Sequence, residues 1–289
     1  MKNFILLFTL ALAISAITFG QNSGTINLEK GQKYYVENKI NNVSSFEMMG
    51  QPMETKADIT STFNIEVKDN HDNNINLTNT ITSVKMNVTA MGQDLNFDSE
   101  KQEDMNGEIG SNFKDYINKP KDVVMDKSGN VIIKNIQDAT TNNAGNSSEN
   151  PAAMMMQQMG GDPEEQGYGA KMTFHAIPKN AKTGSSWTDS SSDKGTTRVT
   201  NYILKEISGD VGKLSLTGTI ISEIKTEMQG TEILTKTTGK LTGEEILDLK
   251  TGLIKQNTST TDATGTVTVM GQEIPTSSKI ISVTTVKSL

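Results

Sequence analysis

The chain has 289 residues, 27 Lys and Arg against 34 Asp and Glu, a formal charge of -7 and no cysteine. An acidic chain without a basic block is a poor binder of nucleic acid or anionic membrane, disulfides cannot hold it together, and a Cys–His nucleophilic pair is excluded. Only 5% of the residues are aromatic, which argues against a sugar-binding surface of exposed rings, whereas the length is ample for one or two buried cores.

Residues 1–20 read as a secretory leader: a lone Lys2, an apolar run from Phe4 to Phe19, then small residues before Gln21. Cleavage after Gly20 is the first choice and after Ala16 the second. The mature chain is then expected in the periplasm or outside the cell, without a lipidated cysteine and without a membrane span, because no later apolar run is long enough. The remainder divides into an N-terminal β half over 21–141, a Met-rich linker over 142–169 and a C-terminal β half over 170–289.

Period-two alternation predicts strands in both halves. Ile59, Phe63, Ile65 and Val67 share one face. Ile75, Leu77 and Ile81 keep odd positions whereas Val84, Met86 and Val88 keep even ones, so a β-bulge or bend is expected near Thr82-Ser83. Leu214, Leu216, Ile220 and Ile224 hold one phase, with Gly218 placed where curvature is easiest. Four tight-turn signatures punctuate the strands: Met49-Gly50-Gln51, Met91-Gly92-Gln93, Met228-Gln229-Gly230 and Met270-Gly271-Gln272. Gly at the first central position suits a type II′ turn and Gly at the second a type I′ turn, and Gly50, Gly92, Gly230 and Gly271 are all expected at positive φ. Pro52 complicates a Gly50-Gln51 turn, since it lacks the N–H that would close it. Ile109, Phe113, Tyr116 and Ile117 predict a short amphipathic helix stopped by Pro120.

Self-similarity points to internal duplication. Lys30-Gly31 ahead of Tyr34 is echoed by Lys182, Gly184 and Trp187, Ile75 to Ile81 by Leu214 to Ile220, and Met125 to Val131 by Leu247 to Ile254. Trp187 is accordingly expected to be a packing residue matched by Tyr34.

Candidate chemistry is sparse. His71, in Asp69-Asn70-His71-Asp72, reads as a solvated turn whose spacing does not match a calcium loop. His175 reads as a rim residue at the end of a strand rather than a general base. Glu164-Glu165 and Glu244-Glu245 read as surface charge, since strand neighbours point to opposite faces. Met154, Met155, Met156 and Met159 are the unusual cluster, open to three readings: thioether ligands for Cu(I), an adaptable apolar lid, or plain linker.

The leader, the Lys30-Gly31 opening, the Met-Gly-Gln hairpins, Asp126-Lys127-Ser128-Gly129 and the run from Ile177-Pro178 to Trp187 resemble an uncharacterised family of exported Bacteroidota proteins. More distantly, the Asp-x-x-Gly hairpins resemble those of the open β-barrels of periplasmic lipoprotein carriers and lipid-binding lipoproteins, which implies an apolar concave face. The resemblance supplies no catalytic residues. The expected architecture is all-β, with long antiparallel strands in strongly curved sheets, two related halves and a Met-rich helical insert. The expected function is non-enzymatic and without cofactor, holding an apolar small molecule or an envelope partner in the concavity; Cu(I) binding and a purely structural role are the alternatives.

Overall fold

The computed structural model describes residues 24–48, 51–90, 92–111, 113–132, 168–193, 195–228 and 231–289. The expected leader and Met154, Met155, Met156 and Met159 lie outside the described residues, as do Gly50 and Gly230.

One antiparallel sheet carries the chain. The N-terminal half supplies β1 (Lys33–Met48), β2 (Gln51–His71), β3 (Asn74–Ala90), β4 (Gln93–Asp98), β5 (Pro120–Asp126) and β6 (Val131–Ile132). Two short helices, α1 (Gln102–Asn106) and α2 (Glu108–Ser111), lie between β4 and β5. After α3 (Tyr168–Thr173) the C-terminal half supplies β7 (Ser186–Asp193), β8 (Thr196–Ser208), β9 (Val211–Met228), β10 (Thr231–Asp248), β11 (Ile254–Val269) and β12 (Gln272–Ser288). The order is β6-β5-β3-β2-β1-β12-β11-β10-β9-β8-β7, with β4 paired to β3 beside this path. This is an up-and-down meander whose first and last strands pair, from Tyr34 opposite Ser288 to Phe46 opposite Thr276. Because β6 and β7 do not pair, the sheet stays open there, and the two halves form one curved sheet rather than two barrels.

The phase slip resolves as expected. Thr62 faces Ser83 and Phe63 faces Ile81, so Thr82 is the extra residue of a bulge, and the Thr62 hydroxyl lies 2.6 Å from that of Thr82 and 2.8 Å from that of Ser83. The bulge lets Ile75, Leu77 and Ile81 share a buried face with Val84, Met86 and Val88. Glycines mark the sharpest strand approaches on the same face. A Cβ on Gly218 would strike the Val199 carbonyl oxygen, and one on Gly265 that of Lys236.

Three of the hairpin tips differ from expectation by one residue, while the pairing of Met228 with Thr231 agrees with the expected Gln229-Gly230 turn. Met48 pairs with Gln51, Ala90 with Gln93, Met228 with Thr231 and Val269 with Gln272. In the last hairpin the two-residue loop therefore places Gly second, and Met270 and Gly271 at φ 51 and 79 have the two positive φ values of a type I′ turn. Gly92 is also positive, at φ 75. Pro52 then lies within β2 opposite Glu47, outside the loop.

The recurring motifs occupy equivalent places. Gly31 donates to the Val67 carbonyl and Val67 donates back to Gln32; Gly184 and Ser185 do the same with Leu204. Each exchange precedes a register shift, between Val67 and Asp69 in one half and between Leu204 and Glu206 in the other. Asp126 and Asp248 each accept two backbone N–H bonds from the turn that follows, and Gly129 and Gly252 both have positive φ.

The main core lies under the N-terminal half, where Phe63, Ile65, Leu77, Met86 and Met125 are fully buried. The predicted amphipathic helix is helical only at its start: α2 ends at Ser111 and turns occupy 113–116, yet Phe113 and Ile117 still bury their side chains, and Phe113 stacks on Phe97 at 5.1 Å.

Candidate functional site

Directly paired residues of an antiparallel sheet share a face, so register shows what each face carries. Across five strands one row, buried but for half-buried Asn257, is polar: Glu245 opposite Asn257, Asn257 opposite Thr284, Thr284 opposite Asn38, and Asn38 opposite Ser61. Asn257 Nδ2 donates to Glu245 Oε2 at 2.7 Å, and the Ser282 and Thr284 hydroxyls donate to Asn38 Oδ1 at 3.1 and 3.2 Å. Buried polar groups paired in this way avoid the cost of an unmet hydrogen bond.

At the β10 end of this row stands His175. The stretch expected as a strand is instead α3 followed by an extended strap: Thr173 caps back onto the Gly169 carbonyl, Phe174 forms an antiparallel bridge with Leu253, and the His175 amide donates to Gly252. The reason is tertiary. Ala170 and Phe174 are buried in the main core, with Phe174 edge-on to Tyr34 at 5.5 Å, so burial outweighs strand propensity.

His175 is thus no rim residue. Its side chain is 11% exposed, and Nδ1 lies 2.6 Å from Oε1 of Glu245, itself 4% exposed. Glu245, read from the sequence as surface charge, is buried because β10 alternation turns it inward, while Glu244 points outward to Lys213 at 3.0 Å. Burial by itself lowers the imidazole pKa, but the Glu245 carboxylate, aided by Asp189, overcomes it and raises the pKa to about 10. Held as an imidazolium, His175 is a tether and not a proton acceptor at neutral pH. Trp187 and Tyr202 pack beside it, with rings stacked at 5.5 Å, and burial raises the Tyr202 phenol pKa, with Glu245 and Asp189 adding to the effect. His175 Nε2 lies 3.6 Å from Asp189 Oδ2, too far for a hydrogen bond, and both it and Trp187 Nε1 are buried without a hydrogen-bond partner. The sequence reading of Trp187 as a packing residue matches this position.

Beyond the polar row, toward the hairpin tips, the two halves differ. In the N-terminal half Ile59, Met86, Val88 and Phe97 are buried, and Met105, Ile109 and Tyr116 pack against the same core. In the C-terminal half Ile220, Ile224, Ile233, Val267 and Ile274 remain half-buried on the corresponding face. The described helices pack against β4, β2, β3 and β11, α3 reaching β11 where Phe174 bridges Leu253 at the base. The face is an aliphatic strip with a polar row and the His175 strap at its inner end.

His71 is exposed and 3.1 Å from Asp69 in the β2–β3 turn, as a solvated turn residue would be. No group of three His, Cys, Asp or Glu among the described residues could hold a metal, and no described helix is long and apolar enough to cross a membrane.

Fold and face define an open, antiparallel all-β protein with an aliphatic strip on one side of its sheet. The chain belongs to a family of unknown function, DUF6263, whose model matches residues 72–254. No curated protein matches it. Among solved structures it is similar to one describing lipid–protein interactions in lipovitellin, at 10% identity and a TM-score of 0.49 over 90% of this chain and 25% of that one; the chain thus spans about a quarter of that protein's length. It is also similar to an outer membrane channel from Pseudomonas putida F1, at 7% identity and a TM-score of 0.26 over 91% of this chain and 98% of that one.

Proposed function

We propose that this is an exported, non-enzymatic protein that holds an apolar ligand against the C-terminal part of the sheet's inner face. The observation that carries the reading is the half-buried aliphatic strip of Ile220, Ile224, Ile233, Val267 and Ile274, against the buried equivalents in the other half. Half-covered aliphatic side chains on a sheet face gain about 25 cal/mol for each Å² a ligand removes from water. On the reverse face the ion pairs of β9 and β10, Lys213 with Glu244 and Lys236 with Glu223, interrupt the apolar residues Ile221 and Leu234. Export rests on the leader-like residues 1–20, and nothing in the reading rests on the four methionines.

The test is a titration of lipid-stripped protein with Nile red. Saturable binding is expected, weakened at least tenfold (about 1.4 kcal/mol) by Val267→Glu, which sets a carboxylate in the strip, and unchanged by Lys236→Gln on the reverse face. Absence of binding, or equal binding by the Val267→Glu protein, overturns the reading.

A further inference from the structure

We infer that the ligand is an uncharged acyl lipid, its chains on the aliphatic strip and its ester and hydroxyl oxygens at the Ser and Thr hydroxyls of the same face. The inference rests on the proposed apolar-ligand function and adds the ligand's chemical class.

Three observations carry it. The first is charge. Registering β9 through β12 and β1 through β3 shows that, beyond the polar row, the described residues on this face include no Asp, Glu, Lys, Arg or His. The ionisable groups that border it are Arg198 and Asp189, on the outer strands β8 and β7, and the His175–Glu245 pair, in which the two charges already answer each other. Arg198 stands opposite Ile220 at the β8 edge, so a carboxylate or phosphate seated farther in, over β10 to β12, would be desolvated without a cation to meet it, which is costly. The second is shape. Along β10 the run from Ile233 to Leu241 extends about 26 Å at about 3.3 Å per residue, long enough for an extended chain laid along the face that carries Gly239, Ala263 and Gly265. The third is the kind of side chain. Between the aliphatic residues stand half-buried Thr237, Ser259, Thr261, Ser278 and Ser282, hydroxyls able to donate to ester carbonyls and accept from a free hydroxyl. No described aromatic ring lies on this part of β9–β12, so planar ligands have nothing to stack on.

The experiment displaces Nile red from the intact protein at about pH 8, where free fatty acid is ionised, with dioleoylglycerol, oleate or dioleoylphosphatidylglycerol. The diglyceride should act at a concentration at least tenfold below either anionic lipid. Ser278→Lys, which adds a cation between Ala263 and Ser44, should shift the preference toward oleate by at least tenfold, with circular dichroism confirming the fold. Displacement by oleate or phosphatidylglycerol at equal or lower concentration overturns the inference, and so does an unchanged preference in folded Ser278→Lys protein. If the dye binds and none of the three lipids displaces it, the lipid class is wrong while the apolar site stands. If the dye never binds, the proposed function fails with it.

Discussion

His175 and Glu245 show how one residue's meaning depends on partners far along the chain. Removing one member of a buried pair strands the other's charge, so His175→Leu is expected to cost about 3 kcal/mol, and His175→Leu with Glu245→Leu to cost less than that single change. Urea denaturation of the four proteins checks this; a double variant less stable than His175→Leu would refute it. The pH dependence has a definite sign. With a folded pKa near 10 above an unfolded value of about 6.5, the imidazolium's contribution is complete below about pH 6.5 and is lost as the pH rises toward 10. Wild-type stability should decline across that window more than that of the His175→Leu protein. None of this was legible in the sequence. Alternation along β10 shows only that Glu244 and Glu245 face opposite ways, and the inward one is identified only by the register with Asn257 and the strap brought over from α3. Trp187 was legible because Gly184 ahead of it repeats Gly31 ahead of Tyr34, a local signal.

At the scale of elements, turns and bends were the most readable features, since they depend on residues adjacent in sequence. The bulge at Thr82 follows from the change of phase between Ile81 and Val84, while the three Met-Gly-Gln hairpins were placed one residue late because Met-Gly was not read as a loop. Met270 is held at φ 51 and is 85% exposed, so Met270→Asn, which creates the Asn-Gly pair favoured in type I′ turns, should stabilise the protein by about 0.5–1 kcal/mol. Gly271→Val should destabilise it by about 1–2 kcal/mol, through backbone strain alone, because a Cβ there meets nothing within 4 Å. Opposite shifts in melting temperature are the readout, and a stabilised Gly271→Val protein would contradict the turn assignment. The strand glycines divide differently. On Gly265 a Cβ would strike the Lys236 carbonyl, whereas on Gly239 its nearest neighbour is the Thr261 methyl at 3.0 Å. Gly265→Ala should therefore cost about 2–3 kcal/mol and clearly more than Gly239→Ala, since one collides with backbone and the other with a side chain that can turn.

Across the whole molecule, the two halves meet along β1 and β12, at Ala170 and Phe174 in the main core, and at the segment leading into β1. Ile26 is fully buried, and its amide donates to the Lys127 carbonyl at 2.7 Å, while the Asn27 amide donates to the Thr251 carbonyl at 3.2 Å. Those carbonyls belong to the matching turns Asp126 to Gly129 and Asp248 to Gly252, and the Ile26 side chain lies where a Cβ on Gly129 or Gly252 would come within 3.3 or 3.2 Å. One isoleucine thus closes the base under both halves, and the absence of side chains on both glycines is what lets it fit. Ile26→Ala should leave a cavity between the turns and cost about 2–5 kcal/mol, more than Val286→Ala, which removes a smaller side chain beside β1. Because Ile26 touches each half through an equivalent turn, hydrogen exchange should accelerate together in β2–β3 and in β9–β10 as global stability falls. Acceleration confined to one half would show that the other holds its turn without Ile26, and the segment before β1 would then belong to one half rather than join the two.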